Sequence, residues 1–127
     1  MGYLSPLLAV RDMKKTLDFY TRHLGFDLKM CFPTPDNPQY ADIIKDGMVI
    51  MFVPAEAHGL DAKEKLGAGV YFYLHIDGDI DKYYNELKQK GVRIAVDIKD
   101  EPFGVRDFTV EDPDGYKLVF NQTLKQA

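Results

Sequence analysis

Residues 111–121 read Glu-Asp-Pro-Asp-Gly-Tyr-Lys-Leu-Val-Phe-Asn, which joins a tight turn to a strand. In the turn, proline fixes φ, the aspartates can bond nearby backbone amides, and glycine accepts the positive φ that closes it. After the turn, Tyr116, Leu118 and Phe120 alternate with Lys117, Val119 and Asn121. This period of two predicts a strand with two different faces, one of which packs into a core.

The first half of the chain is predicted to have the order β-α-β-β-β. Strands are predicted at residues 4–10, 26–32, 40–45 and 48–53. A helix lies between the first two, because Asp12 is a suitable N-cap and Gly25 supplies a C-terminal stop. Asp46-Gly47 stands between two apolar runs, which is a strong signal for a hairpin.

The second half repeats this order. Strands are predicted at residues 70–77, 92–98, 105–110 and 116–121, with a helix after the first of them. The helix is capped by Asp79, and Gly115 follows that cap by 36 positions, whereas Gly47 follows the cap Asp12 by 35. Spacing of this kind indicates an internal duplication.

The duplication predicts one domain over residues 1–127. Its two repeats span residues 3–54 and 70–122, and residues 55–69 connect them. Each repeat is expected to cover one face of its sheet with a helix and to leave the other face bare. We therefore expect the two bare faces to enclose a concavity in which a ligand binds.

Composition favours a soluble, cytoplasmic protein. The 127 residues are 46% hydrophobic, which suffices for a core, and the single cysteine, Cys31, has no partner for an internal disulfide. Apolar runs of about 20 residues, which a membrane span needs, are absent from the sequence, as are clusters of Lys and Arg. With a net charge of −4, the chain is expected to bind neither nucleic acid nor a membrane, and a neutral or cationic small ligand suits it better.

Several short motifs carry a resemblance to a known family. They are Val10-Arg11-Asp12-Met13 with Leu24-Gly25-Phe26, Asp79-Ile80-Asp81 with Lys90-Gly91-Val92, and Gly104-Val105-Arg106-Asp107-Phe108 before Asp112-Pro113-Asp114-Gly115. Together they make nearly the whole chain similar to the vicinal oxygen chelate superfamily, which includes glyoxalases, bleomycin-resistance proteins and dioxygenases. The resemblance implies an α+β fold of two tandem βαβββ modules that form an open cup of the glyoxalase/bleomycin-resistance type.

Enzymes of that superfamily hold a divalent metal ion with His, Gln or Glu side chains that project into the cup. Matching by motif places these positions at Ser5, at or next to Met51, at or next to Tyr71, and at Val119. A hydroxyl, a thioether, a phenol and an isopropyl group do not form a ligand set for such an ion. The resemblance therefore implies the cup without its metal, and we predict no cofactor and no catalytic residue.

The predicted site is an apolar surface lined by tyrosines. Tyr71 and Tyr73 are expected to point away from the core, where a ring can stack on a planar ligand, and His75 shares their face. Arg106, near Phe103, is expected to pair either with an anionic group of a ligand or with Asp107 or Glu111. The predicted ligand-binding residues are Ser5, Leu7, Met51, Tyr71, Tyr73, His75, Phe103, Arg106 and Val119.

These features predict a protein that binds an aromatic or planar small molecule without a metal, as bleomycin-resistance proteins sequester a drug. The resemblance also implies a homodimer. One alternative is a metal-dependent lyase, isomerase or dioxygenase of the same superfamily that uses ligands at other positions. Another is a domain that binds only a partner protein. Stoichiometric bound metal would separate the enzyme from the binding protein.

Overall fold

The computed structural model of this chain describes residues 2–60 and 65–124. Its contacts divide the chain into two compact units, residues 1–66 and 67–127. The boundary falls within the predicted connection at residues 55–69, of which residues 61–64 lie outside the described part of the chain.

The first unit has the predicted order β-α-β-β-β. Its elements are β1 (Leu7–Val10), α1 (Met13–Asp18), β2 (Asp27–Phe32), β3 (Tyr40–Lys45) and β4 (Met48–Pro54). The strand order in the sheet is β1-β4-β3-β2, in which β1 is parallel to β4 and the other pairs are antiparallel. A 3-10 turn, Glu56–His58, follows β4 and supplies the helical turn of the connection.

Helix α1 begins as predicted but does not continue as a regular α-helix. The Asp12 side chain caps it by accepting the Lys15 N–H at 3.0 Å. After Asp18 the helix widens into a π-helical turn, Phe19–His23, in which the Leu24 N–H donates to the Phe19 carbonyl at 3.1 Å. Hydrophobic spacing predicts that a segment is helical, but it does not distinguish an α turn from a wider π turn.

The hairpin predicted at Asp46-Gly47 is present between β3 and β4. Both residues have positive φ, 50° for Asp46 and 79° for Gly47. Two central residues with positive φ are what a type I′ turn requires, and this turn matches the right-handed twist of the strands beside it. The Asp-Gly dipeptide therefore sets the register of β3 against β4.

Strand β2 differs from the simple alternation of the sequence. The sequence alternates Phe26, Leu28, Met30 and Phe32 with Asp27, Lys29 and Cys31, which predicts one buried apolar face and one face in water. The register instead shifts between Leu28 and Met30, and a one-residue bulge sends later side chains to the other face. Met30 and Phe32 therefore lie opposite Asp42 and Tyr40 of β3, and they are 55% and 64% exposed. Leu28, before the shift, is also 49% exposed, because β2 is an edge strand of the sheet.

The second unit repeats the topology of the first. Its elements are β5 (Tyr71–His75), α2 (Ile80–Gln89), β6 (Ile94–Asp100), β7 (Val105–Glu111) and β8 (Lys117–Thr123). The strand order is β5-β8-β7-β6, with β5 parallel to β8. The predicted α+β fold of two tandem βαβββ modules is confirmed. Within the described residues, the helices are too short and too polar to cross a membrane.

The turn at residues 112–115 is organised by a buried carboxylate. Oδ1 of Asp112 accepts the N–H groups of Asp114 and Tyr116, both at 2.9 Å. Gly115 has a φ of 93°, as the sequence predicts for the closing position. Gly67 packs against this turn so closely that a Cβ on it would lie 2.8 Å from the Gly115 carbonyl oxygen. The start of β8 is thereby held against the first residues of its unit.

Each sheet has a helix on one face. In the first unit the Tyr20 ring packs on Phe52 of β4, with ring centroids 5.0 Å apart. In the second unit Tyr83 and Tyr84 of α2 pack on Phe120 and Phe108, both at 5.1 Å. We call the opposite face of each sheet its far face. Strand alternation assigns residues to it, because neighbours along a strand point to opposite sides.

Candidate functional site

The far face of the second sheet carries three rows of side chains. Residues paired across strands point to the same side, so the register defines each row. The rows are Tyr71, Lys117 and Glu111; then Tyr73, Val119 and Thr109; then His75, Asn121 and Asp107. Four of the predicted residues, Tyr71, Tyr73, His75 and Val119, are therefore brought together.

Two tyrosines form the exposed aromatic part of this face. Tyr71 is 60% exposed and Tyr73 is 50% exposed, whereas Val119 beside Tyr73 is buried. The Lys117 Nζ lies 5.8 Å from the centroid of the Tyr71 ring and 3.7 Å from Oε1 of Glu111. Exposed rings beside the buried Val119 offer a flat surface for stacking, and each hydroxyl can form a hydrogen bond with a ligand or water.

The third row is polar and mostly buried. Nδ2 of Asn121 donates to the carbonyls of Leu74 and Val119 at 3.2 and 3.3 Å, while its Oδ1 is buried and has no hydrogen-bond partner. Burial raises the pKa of the neighbouring Asp107 carboxyl, and the negative charge of Glu101 raises it further, against the opposing effect of Lys99. This end of the far face therefore presents hydrogen-bond acceptors beside the exposed His75.

Arg106 lies on the other face of the sheet. Asp107 pairs with Asn121 on the far face, so its neighbour Arg106 points to the side of α2. There the guanidinium is 2.9 Å from Asp81 of α2 and 2.9 Å from Asp100 of β6. Hydrogen bonds to Asp81 and Asp100 raise the pKa of Arg106. The prediction that Asp107 or Glu111 would pair with Arg106 is therefore wrong in its residues, because the carboxylates that hold the guanidinium are Asp81 and Asp100. Arg106 is not brought to Tyr71 or Tyr73.

The remaining predicted residues lie in loops or in the other unit. Phe103 is exposed in the loop between β6 and β7. In the first unit, Leu7 and Met51 pair in register on the far face, and Ser5 precedes β1. Asp42 of β3 completes their row, because it pairs with Met51. Asp42 is not among the predicted residues, although its alternation with the apolar residues Ala41 and Ile43 already placed an acid on that face.

The four family metal positions do not fit a divalent ion. Ser5, Met51, Tyr71 and Val119 offer neither an imidazole nor a carboxylate. Among residues 2–60 and 65–124, no three His, Cys, Asp or Glu side chains are grouped so that they could hold a metal ion. The donor set therefore disagrees with the metal chemistry of the enzymes that the fold resembles.

Comparison with known proteins gives one family and several relatives. A family model described as the Glyoxalase/Bleomycin resistance protein/Dioxygenase superfamily matches residues 2–120. A bleomycin resistance protein of Geobacillus stearothermophilus is 27% identical, over 94% of this chain and 96% of its own. Among solved structures, TioX from Micromonospora sp. ML1 has a TM-score of 0.76 at 21% identity, covering 99% of each chain. TnmS3, an antibiotic binding protein from Streptomyces sp. CB03234, has a TM-score of 0.75 at 24% identity, covering 97% of each.

Proposed function

This chain belongs to the glyoxalase/bleomycin resistance protein/dioxygenase superfamily, and we propose that it binds an aromatic or planar small molecule without a metal ion. The observation that carries the proposal is the pair of exposed rings, Tyr71 and Tyr73, on the far face beside Val119. A valine at the position where related enzymes carry a metal ligand suits an apolar contact and not an ion.

The chemistry of this surface supports sequestration. Stacking on Tyr71 and Tyr73 and contact with Val119 contribute affinity, which is all that sequestration requires. A relative bears the name of a bleomycin resistance protein and a solved neighbour that of an antibiotic binding protein, which agrees with a role in binding a drug-like molecule. We also propose that the protein is a cytoplasmic homodimer, which light scattering and cell fractionation would test.

Calorimetric titration tests the proposed surface. Bleomycin and acridine serve as probes, the second because it is planar, neutral and contains no metal-binding chain. We predict that Tyr71→Ala or Tyr73→Ala weakens acridine binding about tenfold, since loss of one aromatic stack removes about 0.5–1.5 kcal/mol in addition to the buried area.

Two variants control for this result. Tyr71→Phe keeps the ring and should bind acridine within about twofold of the unmodified protein, because stacking does not need the hydroxyl. Tyr3→Ala removes an exposed tyrosine outside the strands and should have no effect. Equal binding by Tyr71→Ala, Tyr73→Ala and the unmodified protein would reject the surface.

The metal-dependent alternative has its own measurement. Elemental analysis of the purified protein, with thermal shifts in Zn²⁺, Ni²⁺, Mn²⁺ and Fe²⁺, reports a resident ion directly. We expect no stoichiometric ion and no rise in the melting temperature, because the family metal positions hold Ser5, Met51, Tyr71 and Val119. One tightly held ion per chain would overturn the metal-free proposal in favour of the enzyme.

A further inference from the structure

A single carboxylate lies within an apolar surface on the far face of the first sheet. One row across the four strands consists of Leu7, Met51, Asp42 and Met30. Phe32 pairs with Tyr40 on the same face. Leu7, Met30 and Phe32 are exposed, whereas Asp42 is only 8% exposed. The acid is therefore set below a rim of apolar side chains.

Asp42 is only partly satisfied by the protein. Its Oδ2 accepts the hydroxyl of Tyr40 at 2.8 Å, while its Oδ1 is buried and has no hydrogen-bond partner. Among the described residues, no lysine, arginine or histidine forms an ion pair with it. Burial raises the pKa of Tyr40, and the hydrogen bond to Asp42 and its negative charge raise it further, so the phenol remains a neutral donor.

This arrangement leaves one oxygen of the carboxylate without a donor from the described residues. A carboxylate removed from water needs compensating donors, and one neutral phenol does not replace its hydration. A buried polar atom without a partner calls for a physical reason. Oδ1 has no exposed surface of its own, so a ligand would reach it where the flexible side chains of its cross-strand neighbours Met30 and Met51 move aside. In this setting a charged donor gains more than it would in water, because the surroundings are poorly polarisable.

We infer that Asp42 is the anchor of a binding site for an organic cation, whose ammonium or amidinium N–H bonds Oδ1 while its apolar body lies on Leu7, Met30, Met51 and Phe32. The occupant follows from complementarity: the acid selects a positive donor, and the apolar rim selects a hydrophobic body. Two methionines also suit a ligand of irregular shape, because their side chains adapt. The inference rests on the proposed function only in taking the ligand to be a small molecule, and it uses neither Tyr71 nor Tyr73.

A matched pair of probes tests the site. 9-Aminoacridine is a cation at neutral pH, and acridine is a neutral molecule of nearly the same shape. Methyl NMR of labelled methionine reports the location, because Met30 and Met51 flank Asp42 whereas Met13 is buried in α1. We expect the methyl signals of Met30 and Met51 to move with 9-aminoacridine and that of Met13 to stay.

The Asp42→Asn substitution separates charge from shape. Asparagine still accepts the Tyr40 hydroxyl, so the sheet should fold, which circular dichroism verifies. We expect at least about a tenfold loss of 9-aminoacridine affinity at this site, while acridine changes by less than about twofold. Asp36→Asn, in an exposed loop, makes the same change in net charge and should leave both affinities unaltered.

Other outcomes overturn the inference. Equal loss of both probes in Asp42→Asn would assign Asp42 a role in shaping the sheet, and no loss of either would show that the cation does not touch it. The inference also fails if Met30 and Met51 do not respond to 9-aminoacridine. In that case weakened acridine binding by Tyr71→Ala would still uphold the proposed function, so the two proposals fail separately.

Discussion

At the scale of single residues, Gly67 has little freedom to change. Its φ is 78°, and a Cβ there would lie 2.8 Å from the Gly115 carbonyl oxygen and 2.9 Å from Cα of Tyr116. A side chain therefore meets two costs: a left-handed conformation, worth about 1–2 kcal/mol, and displacement of a backbone turn. We predict that Gly67→Ala lowers the free energy of unfolding, measured in urea, by about 2–4 kcal/mol.

Gly69→Ala is the matched control for that measurement. Gly69 has a φ of 76°, but a Cβ there would have nothing within 4 Å. Its substitution should cost only the conformational term of about 1–2 kcal/mol. If both variants lost the same free energy of unfolding, the close approach of Gly67 to the turn would not contribute to stability.

At the scale of elements, helix α2 depends on its first turn. Oδ1 of Asp79 accepts the N–H groups of Asp81 and Lys82 at 2.9 and 3.3 Å. Replacing it with alanine leaves two donors at the helix end without that partner. We predict that Asp79→Ala lowers the free energy of unfolding by about 0.5–2 kcal/mol in urea melts. Asp79→Asn keeps a capping oxygen and should cost only a few tenths, so a loss equal to that of alanine would contradict the capping role.

Local signals explain why the elements could be predicted from the sequence. The caps Asp12 and Asp79 and the hairpin Asp46-Gly47 act within a few residues of themselves, and each is found in that role. The π-helical turn at residues 19–23 has no such signal. Tyr20 of this turn packs against Phe52, which is distant along the chain. A contact of this kind is visible only in the folded structure.

The far faces were harder to predict, because they depend on register. Alternation shows that a strand has two faces, but a single bulge in β2 was enough to turn Met30 and Phe32 outward. Arg106 was predicted to bind ligand because it follows Phe103 where the loop enters β7, but pairing with Gln122 puts it on the helix side. Tyr71, Tyr73 and Val119 share a far face as expected, whereas the unpartnered oxygen of Asp42 only becomes apparent from the pairing with its neighbours.

At the scale of the whole molecule, the stability of the chain should depend on pH through Asp107. The pKa of its carboxyl is raised from the ordinary value of 3.8, first by burial and then by the charge of Glu101. The folded chain therefore holds this proton to a higher pH than the unfolded chain does. It follows that the stability linked to this group is fully present below the ordinary pKa and is lost as pH rises through the folded pKa.

Asp107→Asn removes this dependence, because the amide does not ionise and has nearly the same shape. We predict that the difference in free energy of unfolding between Asp107→Asn and the unmodified protein shifts in favour of the variant as pH rises above 3.8, the ordinary pKa of the carboxyl, and levels off once the folded carboxyl has ionised. Urea melts at intervals of half a pH unit measure this difference.

Asp36→Asn, in an exposed loop, should give a flat difference over the same range. The prediction would be wrong if this difference for Asp107→Asn did not change with pH, or moved in favour of the unmodified protein. The fold would then stabilise the ionised carboxyl at least as well as the neutral one. In that case the protein around Asp107 would already compensate the charge of its carboxylate.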